Sequence, residues 1–392
     1  MNYYTPLFAL TLGTLTAADF QLDYNAHLNM TFGQASTDEA ALATHAHDPN
    51  DEFTIQGLEL NFSARYGDHI AGLVSYNTFL DSDNKIDGEF EEAFLKLEEL
   101  PAGFELRGGR FLNRVTSQNN QHLHSWNFVD ANLITTRFLG DEGLISNSAE
   151  VSYRLPIQHD SLLSISFGDA IAHDEHEHHD GDHDDHDDHD DHDDHSDHDD
   201  HDEEETVEGE GALLTDDILT ARLKGIYQHT DFHQFIYGLS YLQGKNAYKK
   251  SGRIMGGDLT YLWRENGIEQ GGKHLRASFE PIYRDFDYVN EDGDLSGSAN
   301  EWGIHSSLGW GFKENWELGF RYDYLQGVDE PIEELEERHR STAALTRSLQ
   351  YNDSLSGHVR LQYNRDWIDG QGPEDAVWLQ FQIDLGSGGE VR

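Results

Sequence analysis

Cysteine is absent from this 392-residue chain, so disulfide bonds, thiolate catalysis and cysteine-type zinc sites are excluded. Basic residues are scarce, because 26 Lys and Arg stand against 75 Asp and Glu, for a net charge of −49. This balance argues against nucleic acid as a partner, since contacts to phosphate groups need Lys and Arg. It favours the attraction of cations.

Long apolar runs are also absent after the N-terminus. No run of roughly 18 apolar residues follows, which excludes membrane-spanning helices and leaves a closed β-barrel as the way to cross a membrane. The apolar stretch 7–17, with small residues just before Asp19, predicts a signal peptide over 1–18; an N-terminal strand or a misplaced start is the alternative. Proline is rare, while 37 Gly, 17 Tyr and 20 Phe are typical of many strands and turns.

Apolar and polar residues alternate in segments of about ten residues, as in outer-membrane barrels. In the last segment Val377, Leu379 and Phe381 lie on one face, while Trp378 and Gln380 lie on the other. The alternation predicts an all-β fold over 19–392, a closed antiparallel transmembrane β-barrel of about 16 strands; a soluble sandwich or propeller is the alternative. Because strand signals begin almost at once, we expect no plug domain. The strands are predicted near 19–32, 53–66, 69–80, 90–98, 103–111, 147–156, 160–170, 215–229, 232–244, 252–265, 272–286, 299–312, 315–328, 338–351, 354–368 and 375–386.

The connections between these segments alternate between short and long, which predicts short periplasmic turns and long outer loops. By strand parity, charged residues of both signs face the lumen, which suits a polar pore. The predicted lumen-facing residues are Arg65, Arg107, Arg154, Arg222, Lys224, Arg276, Arg284, Arg321, Arg360, Glu59, Glu105, Glu280, Glu317, Asp323 and Asp384.

A His/Asp-rich tract at 173–205 lies within the predicted outer loop 171–214. It has no apolar residue, so we expect a disordered, solvated loop. Imidazole and carboxylate groups are zinc ligands, and their repetition predicts loose capture of several divalent ions; a charged spacer is the alternative. The candidate metal ligands in the tract are His173, His176, His178, His179, His183, His186, His189, His192, His195, His198 and His201.

The connection 112–146 is long but not repetitive. Its aliphatic and aromatic residues predict a loop that packs against the barrel wall and narrows the lumen. His122 and His124 lie on one side of an extended segment, and Asp130 is a candidate third zinc ligand. The alternative is that the two histidines only hydrogen-bond within a packed loop. His45 and His47 form a similar pair in the first long loop.

One set of short stretches stands out: Glu91 to Leu95, Gly109 to Phe111, His122 to Asp130 and Arg137 to Leu144. Together they resemble zinc-regulated outer-membrane receptors of Gram-negative bacteria, a porin-like family often labelled TonB-dependent. The likeness covers about 90–145. The chain also resembles, more remotely, the phosphate-selective porins. One departure is Leu123, where relatives tend to have proline between the two histidines. The resemblance implies an outer-membrane location and zinc as the ligand.

These features predict an outer-membrane channel for small solutes, with divalent metal ions, zinc above all, gathered by the His/Asp-rich loop. A metal-buffering protein without transport and an anion- or phosphate-selective porin are the alternatives. No nucleophile elbow or phosphate-binding loop occurs, so we expect neither an enzyme nor a catalytic cofactor. The expected partners are outer-membrane lipid, the barrel assembly machinery, divalent metals and, in a homo-oligomer, further copies of the chain.

Overall fold

The protein forms a closed barrel of sixteen antiparallel strands, as the sequence predicts. The computed structural model describes residues 20–37, 42–81, 85–171, 210–267, 272–289, 296–330 and 333–386. The predicted signal peptide and all eleven tract histidines lie outside the described residues. The strands are β1 (Phe20–Ala35), β2 (Phe53–Tyr66), β3 (Ile70–Leu80), β4 (Ile86–Leu100), β5 (Phe104–Leu112), β6 (Ile145–Arg154), β7 (Asp160–Ala170), β8 (Leu214–Thr230), β9 (His233–Asn246), β10 (Ser251–Arg264), β11 (His274–Val289), β12 (Ser296–Lys313), β13 (Trp316–Leu325), β14 (Val328–Glu330), β15 (Glu333–Leu335), β16 (Arg338–Asn352), β17 (Leu355–Ile368) and β18 (Pro373–Gly386).

The first and last strands close the barrel. In the pairing of β1 with β18, Leu28 lies opposite Ile383, and every other barrel strand pairs with its neighbours along the sheet. Closure satisfies the backbone groups that an open sheet edge would expose. The predicted segment 315–328 was too long, because β13 ends at Leu325 and Val328 opens the separate β14–β15 hairpin. In this hairpin Val328 and Leu335 are buried in one cluster with Phe286 of β11. The hairpin therefore packs on the barrel and does not extend β13.

Outside the β-bulges, side chains alternate between the two faces of the wall. On the outer face Leu361 is 50% exposed and Phe320 is 46% exposed, whereas their chain neighbours Gln362 and Arg321 are buried inside. The outer face is therefore an apolar band that a lipid bilayer would cover, and the inner face is polar. Among the described residues, no helix combines the length and apolar character that a membrane span requires.

The connection from β5 to β6 folds into the barrel. This segment, the inward loop (113–144), contains the short helix α1 (Leu133–Leu139), and the Asn132 side chain caps it by accepting a hydrogen bond from the Thr135 amide at 2.8 Å. Leu133, Ile134 and Phe138 are buried against inward-facing aliphatic side chains of the wall. Apolar packing thus holds this loop inside a barrel wide enough for an aqueous channel.

Candidate metal centre in the barrel lumen

A β-bulge in β4 turns two consecutive glutamates toward the lumen. In the pairing of β3 with β4, Ser75 lies opposite Glu92 but Asn77 lies opposite Glu89, so β4 carries one extra residue there. Without that residue, Glu91 and Glu92 would point to opposite faces, whereas both are buried inside. The bulge therefore places the carboxylates of Glu89, Glu91 and Glu92 on one patch of the inner wall.

The neighbouring strands add a fourth carboxylate and the polar groups that orient the set. Glu59 of β2 is 2% exposed and accepts a hydrogen bond from the Asn61 amide at 2.6 Å. Asn77 and Ser75 of β3 donate to the two oxygens of Glu91, at 3.3 Å and 3.1 Å. The contacts to Glu59 and Glu91 thus come from neutral amides, hydroxyls and histidines, which leaves the patch rich in negative charge.

The inward loop places His122 in the middle of these carboxylates. Its Nδ1 atom lies 2.6 Å from Glu59 Oε1 and 3.0 Å from Glu91 Oε2, and its Nε2 atom lies 2.8 Å from Glu92 Oε2. The ring is buried, and a 3₁₀ turn over Leu123–Ser125 follows it directly. The loop and the wall therefore meet through one imidazole and three carboxylates.

His47 reaches the same patch from the connection between β1 and β2. Its Nε2 atom lies 3.5 Å from Glu91 Oε1 and 3.7 Å from Glu89 Oε1. Its Nδ1 atom is buried and has no hydrogen-bond partner within the described part of the chain. The imidazole is held in place by its backbone, since the His47 carbonyl accepts a hydrogen bond from Gln56 at 2.8 Å.

These residues form two three-membered ligand sets that share Glu91. One set is His47, Glu89 and Glu91, and the other is Glu59, Glu91 and His122; within each set one ligand atom per residue lies within 4.8 Å of the others. Nitrogen and carboxylate oxygen are suitable zinc ligands, and Zn–ligand distances of about 2.0–2.2 Å require them to be this close. Because each Glu91 oxygen faces a different histidine, its carboxylate could bridge two ions.

A small cavity adjoins residues of both ligand sets. Its volume is ≈20 Å³, and its lining includes His47, Glu89, Glu91 and His122. That is about the space of one water molecule or one ion. A space about the size of one ion therefore lies beside residues of both ligand sets.

Protonation of the two histidines is another way to neutralise the patch. Burial alone lowers the pKa of His122, but the carboxylates of Glu59 and Glu91 raise it well above its ordinary value. Burial likewise lowers the pKa of His47, and Glu91 and Glu89 raise it to about 9. Metal ions and protons compete for the same nitrogen atoms, so the surroundings that attract a proton also attract a divalent cation.

The three predicted ligands of the loop separate into two places. His124 joins the candidate metal centre, because its Nδ1 atom lies 2.8 Å from Glu59 Oε2 and its ring stacks on His27 at 3.7 Å between centroids. Asp130 lies elsewhere, with its Oδ2 atom 2.7 Å from Arg321 Nη2 and 2.6 Å from Arg340 Nη1. Two guanidinium groups already neutralise that carboxylate, so Asp130 anchors the loop and does not join the histidines.

Most lumen-facing residues were predicted correctly by strand parity, including Glu59, Arg107, Arg284, Arg321 and Asp323, all of which are buried inside the barrel. Sequence reasoning did not combine Glu59, Glu89, Glu91 and Glu92 with the histidines. The one signal was that Glu91 and Glu92 head the stretch that carries the family resemblance. A bulge cannot be read from alternation, because the extra residue only makes the pattern look interrupted.

The lumen widens on the other side of the inward loop. At the end of the barrel with the short turns, a cavity of ≈630 Å³ is bordered by wall residues and by the loop residues Gln118, Gln121 and Trp126. The same three residues also border the small cavity of the candidate metal centre. The loop is thus a partition between a buried His/Glu pocket and a larger chamber.

Comparisons of sequence give little information about this chain. No family model matches the chain. An uncharacterized protein of Aquifex aeolicus (strain VF5) is 37% identical over 67 residues, which is 17% of this chain and 14% of that protein. The likeness in sequence therefore covers only a small part of either protein.

Solved structures of outer-membrane channels share the fold at low identity. The channel DcaP of Acinetobacter baumannii matches with a TM-score of 0.55 and 11% identity, over 96% of this chain and 99% of that one. An anion-selective porin of Comamonas acidovorans matches with a TM-score of 0.52 and 10% identity, over 94% and 100%. A loop-deletion variant of OmpT from Vibrio cholerae matches with a TM-score of 0.53 and 11% identity, over 94% of this chain and 100% of that one. These matches support a porin-like barrel and give no support to a zinc-regulated TonB-dependent receptor.

Proposed function

We propose that this protein is an outer-membrane, porin-like channel for small solutes that takes up divalent metal ions, with zinc favoured. The apolar outer face and the closed even-stranded barrel support a membrane location. OmpT of Vibrio cholerae, which shares the fold, has been solved in a trimer form, and a homo-oligomer is part of this proposal. In this proposal solutes pass through the lumen without formation or cleavage of a covalent bond.

The observation that carries the metal assignment is the meeting of His47 and His122 with four glutamates at the narrowed part of the lumen. Calcium and magnesium prefer ligand sets made only of oxygen, whereas zinc accepts imidazole together with carboxylate. A buried patch of carboxylates also costs free energy unless cations neutralise it. A divalent ion that enters the lumen therefore finds its best ligands where the inward loop meets the wall.

The His/Asp-rich tract supplies the capture step in this proposal. The tract follows β7 in the chain, and the inward loop follows β5. Because short and long connections alternate, both are assigned to the same end of the barrel. Its many acidic groups would raise the local concentration of divalent cations at the mouth. The tract would gather ions loosely, and the buried His/Glu set would select among them.

Single-channel recording in planar bilayers tests the proposal. The protein should carry a deletion of 173–205, so that any zinc effect comes from the lumen. We expect an open channel whose current changes in steps when micromolar zinc is added, and a Glu91→Gln variant that loses this response. Glu280→Gln is the matched control, because Glu280 is also a buried inward glutamate but lies outside both ligand sets.

Two results would overturn the proposal. A correctly folded protein that conducts no ions would exclude a channel. Equal zinc responses in Glu91→Gln and in the parent would exclude the lumen cluster as the metal site. Resistance of the folded barrel to protease, compared across the variants, separates these results from misfolding.

A further inference from the structure

The chamber of ≈630 Å³ at the short-turn end of the barrel has the opposite charge to the rest of the protein. The net charge of the chain is −49, yet eight Lys and Arg side chains and only two carboxylates line this space. We call it the basic chamber. The basic residues are Lys96, Arg114, Arg154, Arg222, Lys224, Arg264, Arg276 and Arg321, and the acidic ones are Glu105 and Asp258.

The two carboxylates do not balance these cations. Asp258 pairs with Arg222 at 2.6 Å, and Glu105 pairs with Lys96 at 3.1 Å. Arg114, Arg276 and Arg321 have acidic partners outside the chamber lining. No carboxylate within the described ranges lies at ion-pair distance from Lys224 or Arg264, and Lys224 is exposed to the lumen. Among the described residues, the lining of the chamber therefore carries more positive than negative charge.

The size and walls of the basic chamber suit a small organic or inorganic anion. Its volume lies within the range of about 300–1,000 Å³ that is usual for small-molecule sites. Leu162, Ile236 and Leu262 form apolar parts of the wall, beside Trp126 and Phe128 of the inward loop. Apolar walls lower the local dielectric constant and concentrate the field of the cations.

We propose that the basic chamber binds small multivalent anions that carry carboxylate or phosphate groups, and that it gives this end of the pore a preference for anions. Lys224 lies near Arg222 and Arg114 in this lining, and such a local group of cations favours a ligand with at least two negative charges over a monovalent ion. The site is separate from the candidate metal centre, because the loop residues Gln118, Gln121 and Trp126 form a wall between them. Cations and anions thus have distinct sites on the two sides of one loop.

Planar-bilayer recording of the full-length protein in a buffer with a metal chelator tests this inference apart from zinc. The reversal potential in a salt gradient measures the preference for anions over cations. The decrease in chloride current on addition of inorganic phosphate or succinate measures binding of these anions in the pore. In the parent, phosphate or succinate should block at much lower concentration than acetate. The double variant Lys224→Gln/Arg264→Gln should move the reversal potential toward cation preference and raise the blocking concentration roughly tenfold or more.

The matched control is Arg253→Gln/Lys313→Gln, which removes the same charges from exposed positions outside the chamber lining. It should behave like the parent. If the double variant does not fold, the single variants Lys224→Gln and Lys224→Arg form the comparison, and only the second should keep the block. Block by phosphate alone or by succinate alone identifies the anion. Equal block in the parent and in Lys224→Gln/Arg264→Gln, or equal potency of acetate and the two dianions, would overturn the inference.

Discussion

His122 of the inward loop and Glu59 of strand β2 lie 2.6 Å apart, between the Nδ1 atom and a carboxylate oxygen, and both are buried inside the barrel. Sixty-three positions of sequence separate them, yet this contact fixes the tip of the loop against the wall. It also defines where a metal ion would be held. The loop that narrows the lumen therefore also supplies a histidine to the candidate metal centre.

Metal counting tests the two-ion arrangement around Glu91. In protein that lacks 173–205, we expect up to two zinc ions per chain, because two ligand sets share that residue. Glu91→Gln should lower the count to one or none, whereas Glu89→Gln should remove only the ion next to His47. Elemental analysis after dialysis gives these counts. A parent that retains no zinc would contradict the arrangement.

Asp130→Asn should destabilise the folded barrel. Its carboxylate binds Arg321 and Arg340, and it also accepts a hydrogen bond from Gln362 at 2.5 Å. Removal of the charge weakens the pairing of two buried guanidinium groups, although Arg321 keeps Asp323 and Arg340 keeps Asp366, and it costs roughly 1–3 kcal/mol. Thermal unfolding in detergent measures the loss, and Asp353→Asn at an exposed position is the control. An unchanged melting temperature would show that the loop has no need of this anchor.

Acid should release the same anchor. Burial alone raises the pKa of Asp130, but Arg321 and Arg340 lower it below the ordinary value of 3.8. A lowered pKa means that the stabilisation is fully present above about pH 3.8 and disappears as the pH falls through the folded-state pKa. Protease cleavage of the inward loop should therefore increase in this acidic range. The Asn variant should show high cleavage at every pH, and a flat profile in the parent would count against the anchor.

Leu361→Arg tests the lipid-facing surface. Leu361 lies on the outer face of β17, opposite Leu379 of β18, and is 50% exposed. A charge near the bilayer midplane costs roughly 2–4 kcal/mol, so folding into lipid vesicles should be weakened by about that amount. Leu361→Ala is the control for lost side-chain volume. Equal stability of the Arg and Ala variants would mean that this face does not contact lipid.

The His/Asp-rich tract can be tested as an isolated peptide of residues 171–206. Zinc binds neutral imidazole, so calorimetry should show binding of several ions at about pH 7.5 and much weaker binding at about pH 5.5. Replacement of its eleven histidines by asparagine should remove most zinc binding and leave weak calcium binding by the carboxylates. Zinc binding that is the same in both peptides would show that histidine is not the ligand.

The prediction of the candidate site was partial for identifiable reasons. The pair His122 and His124 was recognised from its spacing, and both histidines reach the wall glutamates. Asp130 was grouped with them because it follows closely in the chain, but the loop bends so that it meets Arg321 and Arg340 instead. Closeness in an irregular loop predicts little about contact, because the turns of the loop set the direction of each side chain.

The sequence by itself determined the barrel, because a strand turns successive side chains to opposite faces and each segment therefore shows its apolar and polar sides in order. It also determined the number of strands and the inward position of residues such as Glu59 and Arg321. Only the tertiary structure decided that His47, Glu59, Glu91 and His122 meet, and that eight basic side chains gather in the basic chamber. These groups lie on strands and loops far apart in the chain, and barrel closure, the β4 bulge and the packing of α1 bring them together.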